Sequence, residues 1–154
     1  MKKIIVLIVI ILGLSGCGSI ETLEVSQNLR VNESLANVEM TVMNEVQSDS
    51  EQITLELWNN TSFTLTYGES FSIEFYDEGQ WHVFPAFEEA VFILIGYGLG
   101  PNGTSTFTRN LSWFFPEGLP YSGRYRFRMD IFNDADIPIT EGDIHDVVAE
   151  FHIE

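Results

Sequence analysis

The stretch QITLELWNNTSFTLTYGESFSIEFY, residues 52–76, alternates apolar and polar side chains through three short runs. In the first run Ile53, Leu55 and Leu57 share one face, and polar residues occupy the other. A two-residue period of β-branched and aromatic side chains is typical of half-buried β-strands. Asparagine, threonine and glycine separate the runs, and these residues favour turns. The stretch therefore predicts consecutive strands joined by short turns.

The same period predicts which residues of the next two runs face inward. These are Phe63, Leu65, Tyr67, Phe71, Ile73 and Phe75. Asp77-Glu78-Gly79-Gln80 then predicts a tight turn, after which Trp81 and Val83 continue the pattern.

Alternation continues to the C-terminus. Residues 124–131, RYRFRMDI, predict a strand with outward-facing arginines, and residues 147–154, VVAEFHIE, predict a final strand. The residues predicted to face inward here are Tyr125, Phe127, Met129, Ile131, Ala149, Phe151 and Ile153. Residues 90–99, AVFILIGYGL, are apolar throughout and predict a buried strand or a covered loop.

About seven or eight short strands with frequent turn signals predict an all-β fold, an antiparallel β-sandwich. A small closed barrel is the alternative. Parallel βαβ architecture is disfavoured because no pattern for a crossover helix is present.

The N-terminus has the layout of a secretory signal peptide. Lys2 and Lys3 precede an apolar run over residues 4–14, and small residues follow it. The run is shorter than the roughly 20 residues that a transmembrane helix needs. An uncleaved N-terminal anchor is the alternative interpretation.

Leu14-Ser15-Gly16-Cys17 resembles the lipobox of bacterial lipoprotein precursors. The resemblance implies that a diacylglyceryl group is attached to the thiol of Cys17 and that the chain is cut just before it. Two or more acyl chains hold a soluble domain at a membrane. The expected organisation is a signal peptide at 1–16, a lipidated tether at 17–35 and a sandwich domain at 36–154, on the extracytoplasmic face of a bacterial cell membrane. A short helix or an added edge strand within the tether is the alternative.

The composition excludes one class of partner. The chain has 23 acidic residues and seven lysines and arginines. Both lysines lie within residues 1–16, so the expected mature chain has five arginines and a net charge of −18. This charge repels phosphate backbones and excludes nucleic-acid binding. A single cysteine excludes a disulfide framework, so the fold must depend on its hydrophobic core.

Three phrases, in this order, carry a family resemblance. They are LELWNNTSFTLTYGESFSIEFYDEGQWHVFP (55–85), YGLGPNGTSTFTRNL (97–111) and GLPYSGRYRF (118–127). Together they resemble the bacterial immunoglobulin-like domains of surface lipoproteins, over roughly residues 38–154. The resemblance implies an immunoglobulin-like β-sandwich that acts in adhesion, display or assembly, without catalytic residues or a cofactor. Gly123-Arg124-Tyr125 also resembles a tyrosine corner, in which a tyrosine hydroxyl bonds back to the preceding loop.

The expected function is therefore that of a lipid-anchored envelope lipoprotein with a non-catalytic binding or structural domain. Its partners would be the membrane, through the anchor, and an unidentified protein or envelope component. Two alternatives remain open. One is a module that inhibits a protease, and the other is an envelope hydrolase with a dispersed active site.

Metal ligation has little support in the residue pattern. His145 and His152 are seven residues apart, so in one strand they would face opposite sides, and His82 is distant in sequence. The acidic loop at 133–146 and its flanks could supply oxygen ligands to a weakly bound divalent cation, or the loop could simply be solvated. Its carboxylates are Asp130, Asp134, Asp136, Glu141, Asp143 and Asp146.

Two further features have competing interpretations. Arg124, Arg126 and Arg128 form a cationic stripe that would pair with Glu150 and Glu154 of a neighbouring strand, or else bind an anion. The aromatic segment Trp113-Phe114-Phe115 would contact a partner or plug one end of the core. The sequence favours the internal ion pairs and the plug.

Overall fold

The computed structural model of the protein describes residues 23–135 and 138–154. These residues form ten β-strands, one short α-helix and two 3-10 helices. The strands are β1 (Glu24–Val25), β2 (Val38–Val42), β3 (Gln52–Asn59), β4 (Leu65–Tyr67), β5 (Ser72–Asp77), β6 (Gln80–Val83), β7 (Tyr97–Leu99), β8 (Thr104–Asn110), β9 (Gly123–Asn133) and β10 (Ile144–Ile153). The helix α1 is Pro85–Glu88, and the 3-10 helices are Glu33–Leu35 and Glu141–Asp143.

The predicted signal peptide and Cys17 lie outside the described residues, so both stay predictions. In the described ranges, no helix is long and apolar enough to cross a membrane.

The strands form two antiparallel sheets. The large sheet has the order β1-β6-β5-β9-β4-β7, with β10 paired to β9, and the small sheet has the order β2-β3-β8. Strand β9 organises the large sheet because it is eleven residues long. Its two halves pair with β5 and β4 along one edge, while β10 follows the other edge for ten residues. The predicted antiparallel sandwich is confirmed.

The core lies between the sheets and follows the predicted alternation. Ile53, Leu55 and Leu57 of β3 are completely buried, as are Phe127 and Ile131 of β9. Tight turns preserve this register. At the predicted turn between β5 and β6, Glu78 and Gly79 have φ values of 46° and 86°. Positive φ at both central residues suits the twist of a two-residue hairpin.

One residue predicted to face inward does not. Phe63 is exposed because β4 begins only at Leu65 and the preceding residues form a turn. The buried side chain of Asn59 organises that turn, since its Nδ2 donates to the carbonyl of Phe63 at 2.8 Å. The backbone therefore follows the bonds of the Asn59 amide instead of the strand period.

The prediction for residues 90–99 is also wrong in its larger part. Only Tyr97–Leu99 forms a strand, β7, and residues 91–95 form an irregular loop with four exposed aliphatic side chains. The loop does not pair with the sheet, since β7 meets β4 over three residues only. An apolar sequence thus lies on the surface.

Candidate functional site

An aromatic cluster fills the core beneath α1 and the loop at 91–95. Phe71 stacks on Phe127 of β9, with 4.9 Å between ring centroids. Phe87 of α1 stacks on Phe114 at 4.2 Å, and Phe92 packs against Phe114 at 6.0 Å. The cluster therefore joins the two irregular segments at 91–95 and 111–119 to the sheet.

The segment Trp113-Phe114-Phe115 is divided between the core and the surface. Phe115 is buried and Phe114 is half-buried, whereas 83% of Trp113 is exposed. The backbone N–H groups of Phe114 and Phe115 both donate to the carbonyl of the buried Leu111, at 3.0 and 2.9 Å. This tight turn directs the two phenylalanines inward as a plug. Trp113 remains a candidate contact residue.

Residues 91–95, which we call the apolar loop, have the sequence VFILI. Phe92 is held in the aromatic cluster, while Val91 and Leu94 are almost fully exposed at 96% and 103%. A bond from the N–H of Ile95 to the carbonyl of Ile93, at 3.0 Å, closes a three-residue turn with Leu94 at its apex. Contiguous exposed aliphatic side chains mark interaction surfaces in soluble domains.

The predicted arginine stripe is mostly an internal ion-pair cluster on the outer face of the large sheet. The side chain of Glu74 is 1% exposed and accepts hydrogen bonds from Arg126 and Arg128. Arg128 also bridges to Asp146 at 2.6 Å. Only Arg124 forms an exposed pair, with Glu150 at 2.7 Å. Internal pairing of the stripe is confirmed, but its partners differ from the prediction. Of the two predicted carboxylates Glu150 pairs with Arg124, whereas Arg126 and Arg128 pair with Glu74 and Asp146 in place of Glu154.

Residues 24–35, which we call the N-terminal strap, cover this cluster. Strand β1 pairs with β6, and the hydroxyl of Ser26 donates to Glu74 at 2.7 Å. Arg30 then forms an ion pair with Asp146, and their backbones also bond, since the N–H of Asp146 donates to the carbonyl of Arg30 at 3.0 Å. The alternative to a plain tether named a short helix or an added edge strand, and this segment contains both, the edge strand β1 and the 3-10 helix Glu33–Leu35.

The arginines keep Asp146 ionised. Burial alone would raise the pKa of this carboxyl, but hydrogen bonds from Arg30 and Arg128 outweigh burial and hold the pKa below its ordinary value. The fully paired carboxylate is an anchor for the N-terminal strap.

The three histidines do not come together as ligands. His145 is buried, whereas His152 is exposed on the opposite side of β10, as predicted. Nδ1 of His145 accepts a hydrogen bond from the backbone N–H of Asn32 at 3.1 Å. His145 therefore fastens the N-terminal strap, beside Asp146, as a neutral ring.

We expect stability to fall as the pH drops below about 6.5, the ordinary pKa of histidine. Burial lowers the pKa of His145 in the folded state. The unfolded chain therefore binds the proton first, and the stabilisation present above that pH is lost as the pH falls through the folded pKa. The measurement is the free energy of unfolding against pH. His145→Gln should flatten the slope, whereas the exposed control His152→Gln should keep it; an unchanged slope in His145→Gln would contradict this assignment.

The acidic loop uses some of its carboxylates internally. Asp143 accepts hydrogen bonds from the backbone N–H and the hydroxyl of Thr140, which lower the pKa of Asp143. Asp146 belongs to the ion-pair cluster, and Asp136 lies outside the described residues. Over residues 23–135 and 138–154, no three histidine, cysteine or acidic side chains are grouped to hold a metal. A weak cation site in this loop stays a prediction.

Tyr125 forms the predicted tyrosine corner. Its hydroxyl donates to the carbonyl of Tyr121 at 2.7 Å and accepts from the N–H of the same residue at 3.1 Å. Burial raises the pKa of Tyr125 to about 12, so the phenol stays protonated as a donor. Such a corner at the start of a late strand is a feature of immunoglobulin-like sandwiches.

The family model described as "Bacterial Ig-like domain" matches residues 34–152. The chain belongs to this family. Its bacterial Ig-like domain thus begins within the N-terminal strap and ends in β10. No curated protein matches the chain.

Two solved structures resemble this Ig-like domain. The CARDB domain of a Pyrococcus furiosus protein, solved in complex with di-metal ions, is 11% identical, with a TM-score of 0.35 over 84% of this chain and 99% of that one. The ASH / PapD-like domain of human CEP192 is 15% identical, with a TM-score of 0.35 over 84% of this chain and 92% of that one. Neither likeness bears on function.

Proposed function

We propose that this chain is an envelope lipoprotein, anchored by lipid on Cys17, whose Ig-like domain is a non-catalytic binding module. Membership of the bacterial Ig-like family supports a binding or structural role. The observation that carries the proposal is the exposure of apolar side chains in the apolar loop and at Trp113. Both emerge from the aromatic cluster through the packed rings of Phe92 and Phe114.

The way these exposed side chains are supported favours a role in binding a partner over a role in packing the core. The rings of Phe71, Phe87 and Phe114 support them from below, so the segments keep their shape while Leu94 and Trp113 face water. Surface aromatic side chains on a rigid base are typical anchors for partners. The chain is otherwise strongly acidic, so an uncharged surface stands out from its surroundings.

The carboxylates in the cavity beneath the N-terminal strap have a structural role, which explains them better than a hydrolytic site does. The cavity has a volume of about 460 Å³, and its deepest carboxylates are Glu74 and Asp146. Both carboxylates are held by arginines and connect the strap to the sheet. They are therefore engaged as anchors, which supports the non-catalytic assignment.

Replacing the lone thiol tests the anchor. Wild-type full-length protein should incorporate a labelled fatty acid in a bacterium, whereas Cys17→Ser should lose the label completely. The matched control is Cys17→Ser/Ser19→Cys, which keeps one thiol but moves it two residues along the chain. This control should also stay unlabelled, because the lipobox resemblance places the acceptor directly after Gly16. Label on Cys17→Ser, or none on the wild type, would refute the anchor.

A further inference from the structure

The apolar loop lies beside the point where the chain enters the domain. Glu24 of β1, Glu88 of α1 and Phe92 of the loop line the same cavity. The two carboxyl groups are also close enough for Glu24 to raise the pKa of Glu88. Val91 follows Glu88 by three residues. The first strand and the apolar loop are therefore neighbours on the surface.

The short reach of the tether limits how far this region can be from a membrane. Cys17 and Glu24 are seven residues apart, and seven residues span at most about 25 Å when fully extended. The N-terminal strap prevents a longer tether, because β1 pairs with β6 and Arg30 is ion-paired to Asp146. A lipid on Cys17 would keep Glu24 within this distance of the bilayer, and the apolar loop lies beside Glu24.

We infer that the apolar loop contacts the bilayer that holds the lipid of Cys17, with Leu94 inserted among the acyl chains; this inference rests on the proposed lipid anchor. The chemistry of the loop suits this partner. Val91, Ile93, Leu94 and Ile95 are aliphatic and exposed, and the loop contains no charge or buried polar group that a protein partner would need to satisfy. Trp113 is amphipathic, as are the side chains that favour the membrane interface.

Proximity favours lipid over other occupants. The anchor makes contact with the bilayer an intramolecular event at high effective concentration, so a few aliphatic side chains suffice. A second copy of the chain has no such advantage, and the acidic residues of the two copies repel each other. These residues also repel anionic headgroups, and burial of the apolar side chains of the loop among acyl chains opposes that repulsion.

Photocrosslinking from position 94 tests the inference. The full-length chain, with a diazirine-bearing residue in place of Leu94, is irradiated in the membranes of the bacterium that expresses it. The matched control carries the same residue in place of Met43, which is also exposed but follows β2 of the small sheet. In the variant with the crosslinker at position 94, the peptide that contains this position should gain the mass of one phospholipid. In the control variant, the peptide that contains position 43 should show no such adduct.

The contact with the bilayer is overturned by lipid adducts that are no more frequent at position 94 than at position 43. It is also overturned if position 94 forms adducts with a second copy of the chain or with another envelope protein. The same mass spectra report the lipid on Cys17 separately. A lipidated Cys17 without a lipid adduct at position 94 refutes the contact between the loop and the bilayer but leaves the proposed anchor intact. An unmodified Cys17 refutes the anchor, and with it the reach on which the inference rests.

Discussion

Glu74→Ala is expected to destabilise the domain by about 3 to 5 kcal/mol, the cost of breaking a buried ion pair from one side. The substitution leaves the guanidinium of Arg126, whose side chain is 8% exposed, without its carboxylate. It also removes one of the two carboxylates of Arg128 and the acceptor of the Ser26 hydroxyl. Urea unfolding monitored by circular dichroism gives the free energy directly.

The exposed ion pair on the same sheet is the matched control. Arg124 and Glu150 are both about half exposed, so Glu150→Ala should cost at most about 1 kcal/mol. A second variant separates charge from packing. Glu74→Leu/Arg126→Met removes both charges, and it should recover most of the loss because well-packed apolar residues often replace buried ion pairs without cost. If Glu74→Ala and Glu150→Ala lower the free energy of unfolding equally, the buried ion pairs contribute no more to stability than the exposed pair.

Phe115→Ala is expected to cost about 3 to 5 kcal/mol, as for other buried phenylalanines. Phe115 is 9% exposed. Its ring packs edge-on against Phe84, with 5.0 Å between the ring centroids, and in a tilted arrangement against Phe87, at 5.8 Å. Truncation would remove both aromatic contacts and leave a cavity at the base of the apolar surface. The midpoint of thermal unfolding should fall by many degrees.

Trp113→Ala provides the comparison within the same segment. Its ring is mostly in water, so its loss should change stability by no more than about 0.5 kcal/mol. If Trp113→Ala destabilises the domain as much as Phe115→Ala, the whole segment is a plug. If neither substitution changes the stability, Phe115 and the aromatic cluster around it do not stabilise the core.

The N-terminal strap fixes the place where the chain enters the domain. Contacts from Ser26, Arg30 and Asn32 reach three different positions of the large sheet, namely Glu74, Asp146 and His145. These residues fasten the segment at several points, so the domain cannot swing freely about residue 35. Acid should loosen this attachment, first through His145 and then through Asp146, whose depressed pKa keeps it charged to lower pH.

Strand faces were predictable because alternation is a local property. Ile53, Leu55 and Leu57, or Tyr125, Phe127 and Met129, face one way in any extended backbone, and the sandwich then buries that face. The tyrosine corner was predictable for a similar reason, since Tyr125 bonds to a residue only four positions earlier. The exception, Phe63, occurs where the side chain of Asn59 ends the extended backbone.

Tertiary structure alone decided which outward-facing polar residues of the large sheet are buried. Alternation assigns Glu74, Arg126 and Asp146 to the outer side of the large sheet, and all three do lie there, yet they are buried. Ser26 and Arg30 of the N-terminal strap contact Glu74 and Asp146, and the ring of Trp81 in β6 lies 4.3 Å from the guanidinium of Arg126. No local pattern shows this, because the contact between Arg30 and Asp146 joins residues 116 positions apart. A local pattern also fails for residues 90–99. Their apolar sequence indicated burial, but no sheet covers the apolar loop at 91–95.

The sequence by itself therefore determined the sandwich and the inward face of its main strands, because these depend on backbone geometry and short-range period. The bacterial Ig-like family was indicated separately, by the resemblance of three phrases of the sequence to such domains. Only the tertiary structure decided which outward residues are buried, that Phe115 is enclosed while Trp113 is exposed, and that residues 91–95 face water. Those outcomes depend on which distant segment packs against a given surface, and the free energy of that packing is not encoded in any local window of the chain.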